Sequence, residues 1–205
     1  MQRDRNDYSD DDVKRRGILW ALWAVLMAPV VLLLMAPGDD PDALVAASGN
    51  WAMAWLAVAV VMTPLARLWR GLARWLWLRR AVGLAAFAGS VVHLWLYVLA
   101  MRGFAEPGGE WALIAEEAFT PGILTGWLAL ILLLLPALAS NDRAMRWLRQ
   151  AWKPVQRLAW PGAALALVHM AVVHDGFSLA LAVGGVIAGL QMARFFPVRS
   201  TRKAI

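Results

Sequence analysis

The sequence predicts an all-α integral membrane protein, a bundle of six transmembrane helices with both termini on the cytoplasmic side. Three observations predict it. Of the 205 residues, 61% are hydrophobic and 17% charged, where a soluble domain is about 45–50% apolar and about 25% charged. Six stretches approach the roughly 20 apolar residues that cross a bilayer. All but one of the 20 Lys and Arg residues fall in alternate connections, which the positive-inside rule assigns to the cytoplasm.

The elements follow in order. Residues 1–16 form a cytoplasmic tail with Arg3, Arg5, Lys14, Arg15 and Arg16, and its Asp10-Asp11-Asp12 run reads as solvated and mobile. The first span is Gly17–Met35. Its apolar run is long, and Pro37-Gly38-Asp39-Asp40 follows with no small-residue cleavage pattern, so it reads as a span and not as a convincing signal peptide. Asp39, Asp40 and Asp42 then mark an outer connection. The second span, Trp51–Leu68, leads into Arg67, Arg70, Arg74, Arg79 and Arg80 on the inner side. The third, Ala81–Met101, leads out to Arg102, Glu106, Glu110, Glu116 and Glu117. The fourth, Gly122–Leu138, returns to Arg143, Arg146, Arg149, Lys153 and Arg157. The fifth, Val155–Val173, ends at the outer turn His174-Asp175-Gly176. The sixth, Phe177–Phe195, completes a membrane domain over 17–196, and residues 197–205 form a basic cytoplasmic tail.

Several chemistries are excluded. With no cysteine there is no disulfide, iron–sulfur ligation or thiol catalysis. No Gly-rich phosphate loop, Walker motif or dinucleotide fingerprint occurs. The net charge of +6 is a topology signal, not a nucleic-acid signal. No internal repeat is visible. Trp69, Trp75, Trp77, Trp147 and Trp152 read as an interfacial belt.

Ionisable residues inside a membrane are costly and mark function. Here the span interiors offer His93 in the third helix and His169 in the fifth. Counted from the cytoplasmic end they lie roughly 18 and 21 Å along their helices, in the outer half of the bilayer. Paired imidazoles at one depth are what a bis-histidine haem needs. The alternative is a pair of histidines that hydrogen-bond across helices without a cofactor. Zinc would want more ligands than converge here. Gly83, Ala86 and Ser90 before His93, and Gly162 and Ala166 before His169, form small-residue stripes that either admit a flat macrocycle or let helices pack closely. Met170 reads as packing.

Three stretches carry a resemblance to a known family. Thr63-Pro64-Leu65-Ala66-Arg67 is similar to its TPLAR run. Arg79-Arg80-Ala81-Val82-Gly83-Leu84, with Phe87 and His93, follows its RRxxGL…F…H pattern. Leu148, Trp152, Leu158 and His169 match its LGxxWxxLH region and the second histidine 13 residues on. Over roughly Ser48 to Val173 the chain resembles the haem-binding membrane subunits (MsrQ, or YedZ) of periplasmic methionine sulfoxide reductase systems, which belong with the ferric-reductase-like transmembrane domains. It departs from the pattern where the motif histidine is Gln156 and the motif glycine is Arg149, and Ala46 stands near where a further histidine is often seen.

The resemblance implies His93 and His169 as axial ligands of one b-type haem. It implies electron flow from a cytoplasmic flavin reductase, through FMN, or from the quinone pool. The acceptor would be a periplasmic molybdopterin-containing catalytic subunit, with the protein in the bacterial inner membrane. Sulfoxide reduction itself would then occur on the partner. Arg79 and Arg80 are candidates to hold a flavin phosphate or a haem propionate. Two alternatives stand beside this reading: a ferric or quinone reductase with the same haem core, and a cofactor-free membrane scaffold. His174 is either a surface residue, a group behind His169 or an alternative ligand.

Overall fold

The structure is a computed structural model, and it describes residues 4–35, 40–104, 106, 108–173 and 176–192. Every regular element among the described residues is helical. These are α1 Asp4–Met35, α2 Pro41–Leu68, α3 Arg79–Phe104, α4 Glu110–Glu117, α5 Pro121–Leu138, α6 Asp142–Leu148, α7 Trp152–Arg157, α8 Ala159–Val173 and α9 Phe177–Met192. The six apolar stretches are helical where described, except that the fifth, expected over Val155–Val173, is broken by a turn at Leu158 between α7 and the 15-residue α8. Three helical stretches, Pro41–Leu68, Arg70–Phe104 and Pro121–Leu138, are long and apolar enough to cross a membrane, and Arg16–Pro29 and Phe177–Met192 are shorter apolar helices. His174 lies outside the described residues.

Some boundaries differ from expectation, for local reasons. α1 begins at Asp4, inside the stretch expected to be a mobile tail. In the sequence Asp10, Asp11 and Asp12 each precede a base by four residues, at Lys14, Arg15 and Arg16. Acid before base at a spacing of four is a sequence pattern that supports a helix. α2 starts ten residues before the expected Trp51, where the Asp40 carboxylate accepts from the amides of Asp42 and Ala43 and Pro41 takes the first helical position. Arg70–Leu78 is a 3₁₀ segment; sequence reading assigned no helix there, nor at α4 and α6.

The centre is built by α2 on α3 and α5 on α8, with α9 against α2 and α8, and α1 against α3 and α2. Met53, Leu56 and Val60 of α2 meet Ala86 of α3, Leu133 of α5, Ala163 of α8 and Ile187 of α9 in one core cluster. Close approach depends on small residues: a side chain at Gly89 would touch Ala52 at 3.4 Å. Large apolar side chains face outward, among them Trp20 (76% exposed) and Leu32 (65%). Such a surface suits lipid and not water. Trp69, Trp75 and Trp147 are exposed, as a membrane-interface belt requires. Trp152 instead donates its Nε1–H to the Ala139 carbonyl at 3.0 Å, closing the end of α5.

Proline leaves a mark on this packing. Pro64 is fully buried inside α2 and has no N–H to give the carbonyl four residues back. That carbonyl, on Val60, receives Gln191 Nε2 of α9 at 3.4 Å instead.

Candidate cofactor site between two helix pairs

His93 and His169 come together, as their matched depths predict. Their ring centroids are 6.1 Å apart, with the planes inclined at 75°. A metal–imidazole bond is ~2.0–2.1 Å and the nitrogen lies ~1.1 Å from its ring centroid, so imidazoles on opposite sides of one metal have centroids ~6.3 Å apart. The observed spacing agrees. The rings are too far apart to bond each other directly through facing nitrogens and close enough to share one ion.

Each ring is held by the neighbouring helix. His93 Nδ1 lies 2.9 Å from the Val45 carbonyl of α2, and His169 Nδ1 lies 2.8 Å from the Gly122 carbonyl of α5. A carbonyl only accepts, so each imidazole carries a proton on Nδ1, which leaves Nε2 as the nitrogen for a metal. A hydrogen bond of this type fixes tautomer and orientation in histidines that ligate metals. The same carbonyls also accept from hydroxyls one turn on: Ser48 Oγ to Val45 at 2.8 Å and Thr125 Oγ1 to Gly122 at 2.6 Å.

A glycine seats each ring. A side chain at Gly49 would meet His93 Cε1 at 3.0 Å, and one at Gly126 would meet His169 Cε1 and Nδ1 at 2.8 Å. Only glycine admits the imidazoles so close to the helix backbones. The two seats are therefore one design used twice: a carbonyl, then Ser48-Gly49 or Thr125-Gly126, under a histidine 48 or 47 residues from that carbonyl. The likeness continues to the opposite end of each pair. Arg79 Nε donates to the Ala59 carbonyl and Gln156 Nε2 to the Pro136 carbonyl, each at 3.0 Å and each across 20 residues. The structure thus reveals an internal repeat, α2–α3 and α5–α8, where none is visible in the sequence.

Between the pairs lies a cavity of about 540 Å³, lined by both histidines. Enclosed ligand sites range over ~300–1,000 Å³. Its walls are apolar residues such as Met53, Leu56, Leu133 and Met170. Asp42, Tyr97, Glu117 and Ser178 stand towards one end, where the Tyr97 hydroxyl donates to Glu117 at 2.8 Å. Of the small stripes, Ser90 and Ala166 line the cavity, whereas Ala86 sits in the core cluster and Gly162 lies against Leu133. Ala46, at the place of the missing histidine, is also in the wall.

Among the described residues no cluster of three or more His, Asp or Glu could hold a bare metal ion. Two imidazoles 6.1 Å apart beside a large apolar space instead suit a metal whose other ligands would come from a planar macrocycle. The glycine seats fit that group, and so does one orphaned atom. Trp127 lines the cavity, and its buried Nε1 has no hydrogen-bond partner among the described residues.

Arg79 and Arg80 are not among the lining residues. Arg80 pairs with Asp142 at 2.8 Å on an exposed surface, and the Arg80 guanidinium holds the Asp142 carboxyl below its usual range. Gln156 donates to Pro136 and, at 3.4 Å, to Ser140 Oγ, so its amide caps the end of α5. Arg149 takes a positive φ of 48°, a conformation in which glycine is at ease and arginine is not.

Residues 48–173 match the family model described as ferric reductase like transmembrane component. The chain is 32% identical over 156 residues to the protein-methionine-sulfoxide reductase heme-binding subunit MsrQ of Rhizobium meliloti, covering 76% of this chain and 68% of that one. It is 35% identical over 153 residues to the MsrQ of Xanthomonas oryzae pv. oryzae, covering 73% and 65%. The chain thus spans about two thirds of the length of these relatives. No solved structure matches.

Proposed function

The chain belongs to the ferric reductase like transmembrane family and to its MsrQ haem-binding subunits, and from that premise we propose that it is a b-type haem electron carrier. It would span the bacterial inner membrane six times with both termini inside, and pass electrons to a periplasmic, molybdopterin-containing methionine sulfoxide reductase. The carrying observation is the 6.1 Å spacing of two imidazoles whose Nδ1 atoms are tied to backbone carbonyls.

The bound haem would supply reversible one-electron chemistry. The chain's own residues do the rest. His93 and His169 would hold the iron, with their Nδ1 atoms tied to the Val45 and Gly122 carbonyls. Gly49 and Gly126 set how far each ring stands from its helix. The apolar walls exclude water. The cavity reaches Asp42, Glu117 and Ser178, which the charge asymmetry puts on the outer side, so the path to a periplasmic acceptor is short. One haem is the expected stoichiometry, because the inner end of both pairs is filled by the Arg79 and Gln156 side chains. Electrons would enter from a cytoplasmic flavin or from quinol. The exposed inner bases, Arg79 and Arg80 among them, are the sites we assign to an anionic flavin.

Reoxidation tests the assignment. Dithionite-reduced protein is mixed with the family's catalytic subunit and an oxidised-methionine protein. Reoxidation that needs both supports the reading. Reoxidation by ferric chelate alone, with none by the partner, favours the ferric-reductase alternative.

A further inference from the structure

We propose that the indole N–H of Trp127 holds a carboxylate of the bound macrocycle, with the amide of Asn50 as its counterpart on the other helix pair. The inference rests on the haem reading above and extends it to residues that neither family likeness nor sequence pattern singles out.

A haem brings two carboxylates into a site, and none of the residues lining this cavity is Lys or Arg. Among the described residues, an acid held inside the cavity meets only neutral donors. Most hydroxyl donors in the wall are engaged. Ser90 Oγ donates to the Ala86 carbonyl at 3.0 Å, and the Tyr97 hydroxyl to Glu117. Trp127 Nε1 differs, being buried with no partner among the described residues. A buried donor left unmade costs about 1–3 kcal/mol in a folded protein, and a membrane interior offers no water to relieve it. Trp127 follows Gly126, the seat of His169, and Asn50 follows Gly49, the seat of His93. Both line the cavity. The repeat therefore puts a neutral N–H donor at the same place beside each ligand, which suits a cofactor with two acid groups. Trp55 is a built-in control: its Nε1 is also buried without a partner, but Trp55 is not in the cavity wall.

The test measures transfer of the porphyrin from holoprotein to apomyoglobin. It compares wild type, Trp127→Phe and Trp55→Phe, each loaded with haem or with a haem whose propionates are replaced by ethyl groups. Loss of a hydrogen bond to a charged group predicts about tenfold faster haem release from Trp127→Phe. Trp55→Phe should match wild type, and the ethyl porphyrin should leave wild type and Trp127→Phe at one rate. An equal acceleration for both porphyrins would make Trp127 a packing residue and overturn the proposal, as would no acceleration. If Trp127→Phe does not fold, wild type decides: an ethyl porphyrin that leaves no faster than haem sinks it. A wild type with no Soret band refutes the haem reading itself, which is a separate outcome.

Discussion

Adding one methyl group at Gly126 should weaken cofactor binding without removing either histidine side chain. The new Cβ would lie 2.8 Å from His169 Cε1 and Nδ1, whereas ordinary contact begins at 3.4 Å. The ring must retreat by about 0.6 Å, and metal–ligand distances tolerate only about ±0.2 Å. The retreat also strains the 2.8 Å bond to the Gly122 carbonyl. Overpacking of this kind costs about 1–3 kcal/mol, or about 5–150-fold in affinity. Gly49→Ala meets its ring at 3.0 Å and should lose less. Gly189→Ala, with nothing within 4 Å, should lose none. The assay is haem per chain by pyridine haemochrome on purified protein, with size-exclusion profiles to show that each variant is folded. Full haem in Gly126→Ala would refute the seat, and equal loss in Gly189→Ala would make the effect a general one.

Other perturbations probe the frame. Gln156→Leu should keep its haem and lower the melting temperature, because the amide caps Pro136 and ligates nothing; loss of the haem spectrum would contradict this. Arg149→Gly should stabilise the protein by about 1 kcal/mol, read as a higher Tm, since it relieves a positive φ; an unchanged or lower Tm argues against strain there. Gln191→Leu removes the bond to the Val60 carbonyl and should cost about 0.5–1.5 kcal/mol, measured by thermal unfolding in detergent. Asp142 has a depressed folded-state pKa, so its pairing with Arg80 helps above the usual Asp value of about 3.9 and is lost as pH falls through the lower folded value. The Tm difference between wild type and Asp142→Asn should accordingly vanish in acid; a difference that grows there would contradict the assignment.

How much of this was legible beforehand depends on what each signal measures. Six helical stretches follow from apolar length, and the pairing of His93 with His169 follows from counting residues along two helices. The α4 and α6 segments are short and carry no long apolar run, so hydropathy passes over them. The seats were missed because Gly49 and Gly126 are on the helices facing the histidines, and a search for small residues along each histidine's own helix finds Ser90 and Ala166, which line the cavity, and Ala86 and Gly162, which serve packing. The repeat was missed because it preserves backbone contacts while changing side chains: Ser48 for Thr125, Arg79 for Gln156, Asn50 for Trp127. The Ser-Gly and Thr-Gly pairs are too short to register as a repeat by themselves. Trp127 looked like any other membrane tryptophan, since an unmet N–H has no sequence signature.

The most direct test of the central claim is the absorption spectrum of purified protein, oxidised and dithionite-reduced, for wild type, His93→Ala and His169→Ala. The account predicts a low-spin b-type spectrum at about one haem per chain, lost or converted to high spin in either variant. A folded wild type without a Soret band after haem loading, or an unchanged low-spin spectrum in both variants, would contradict it.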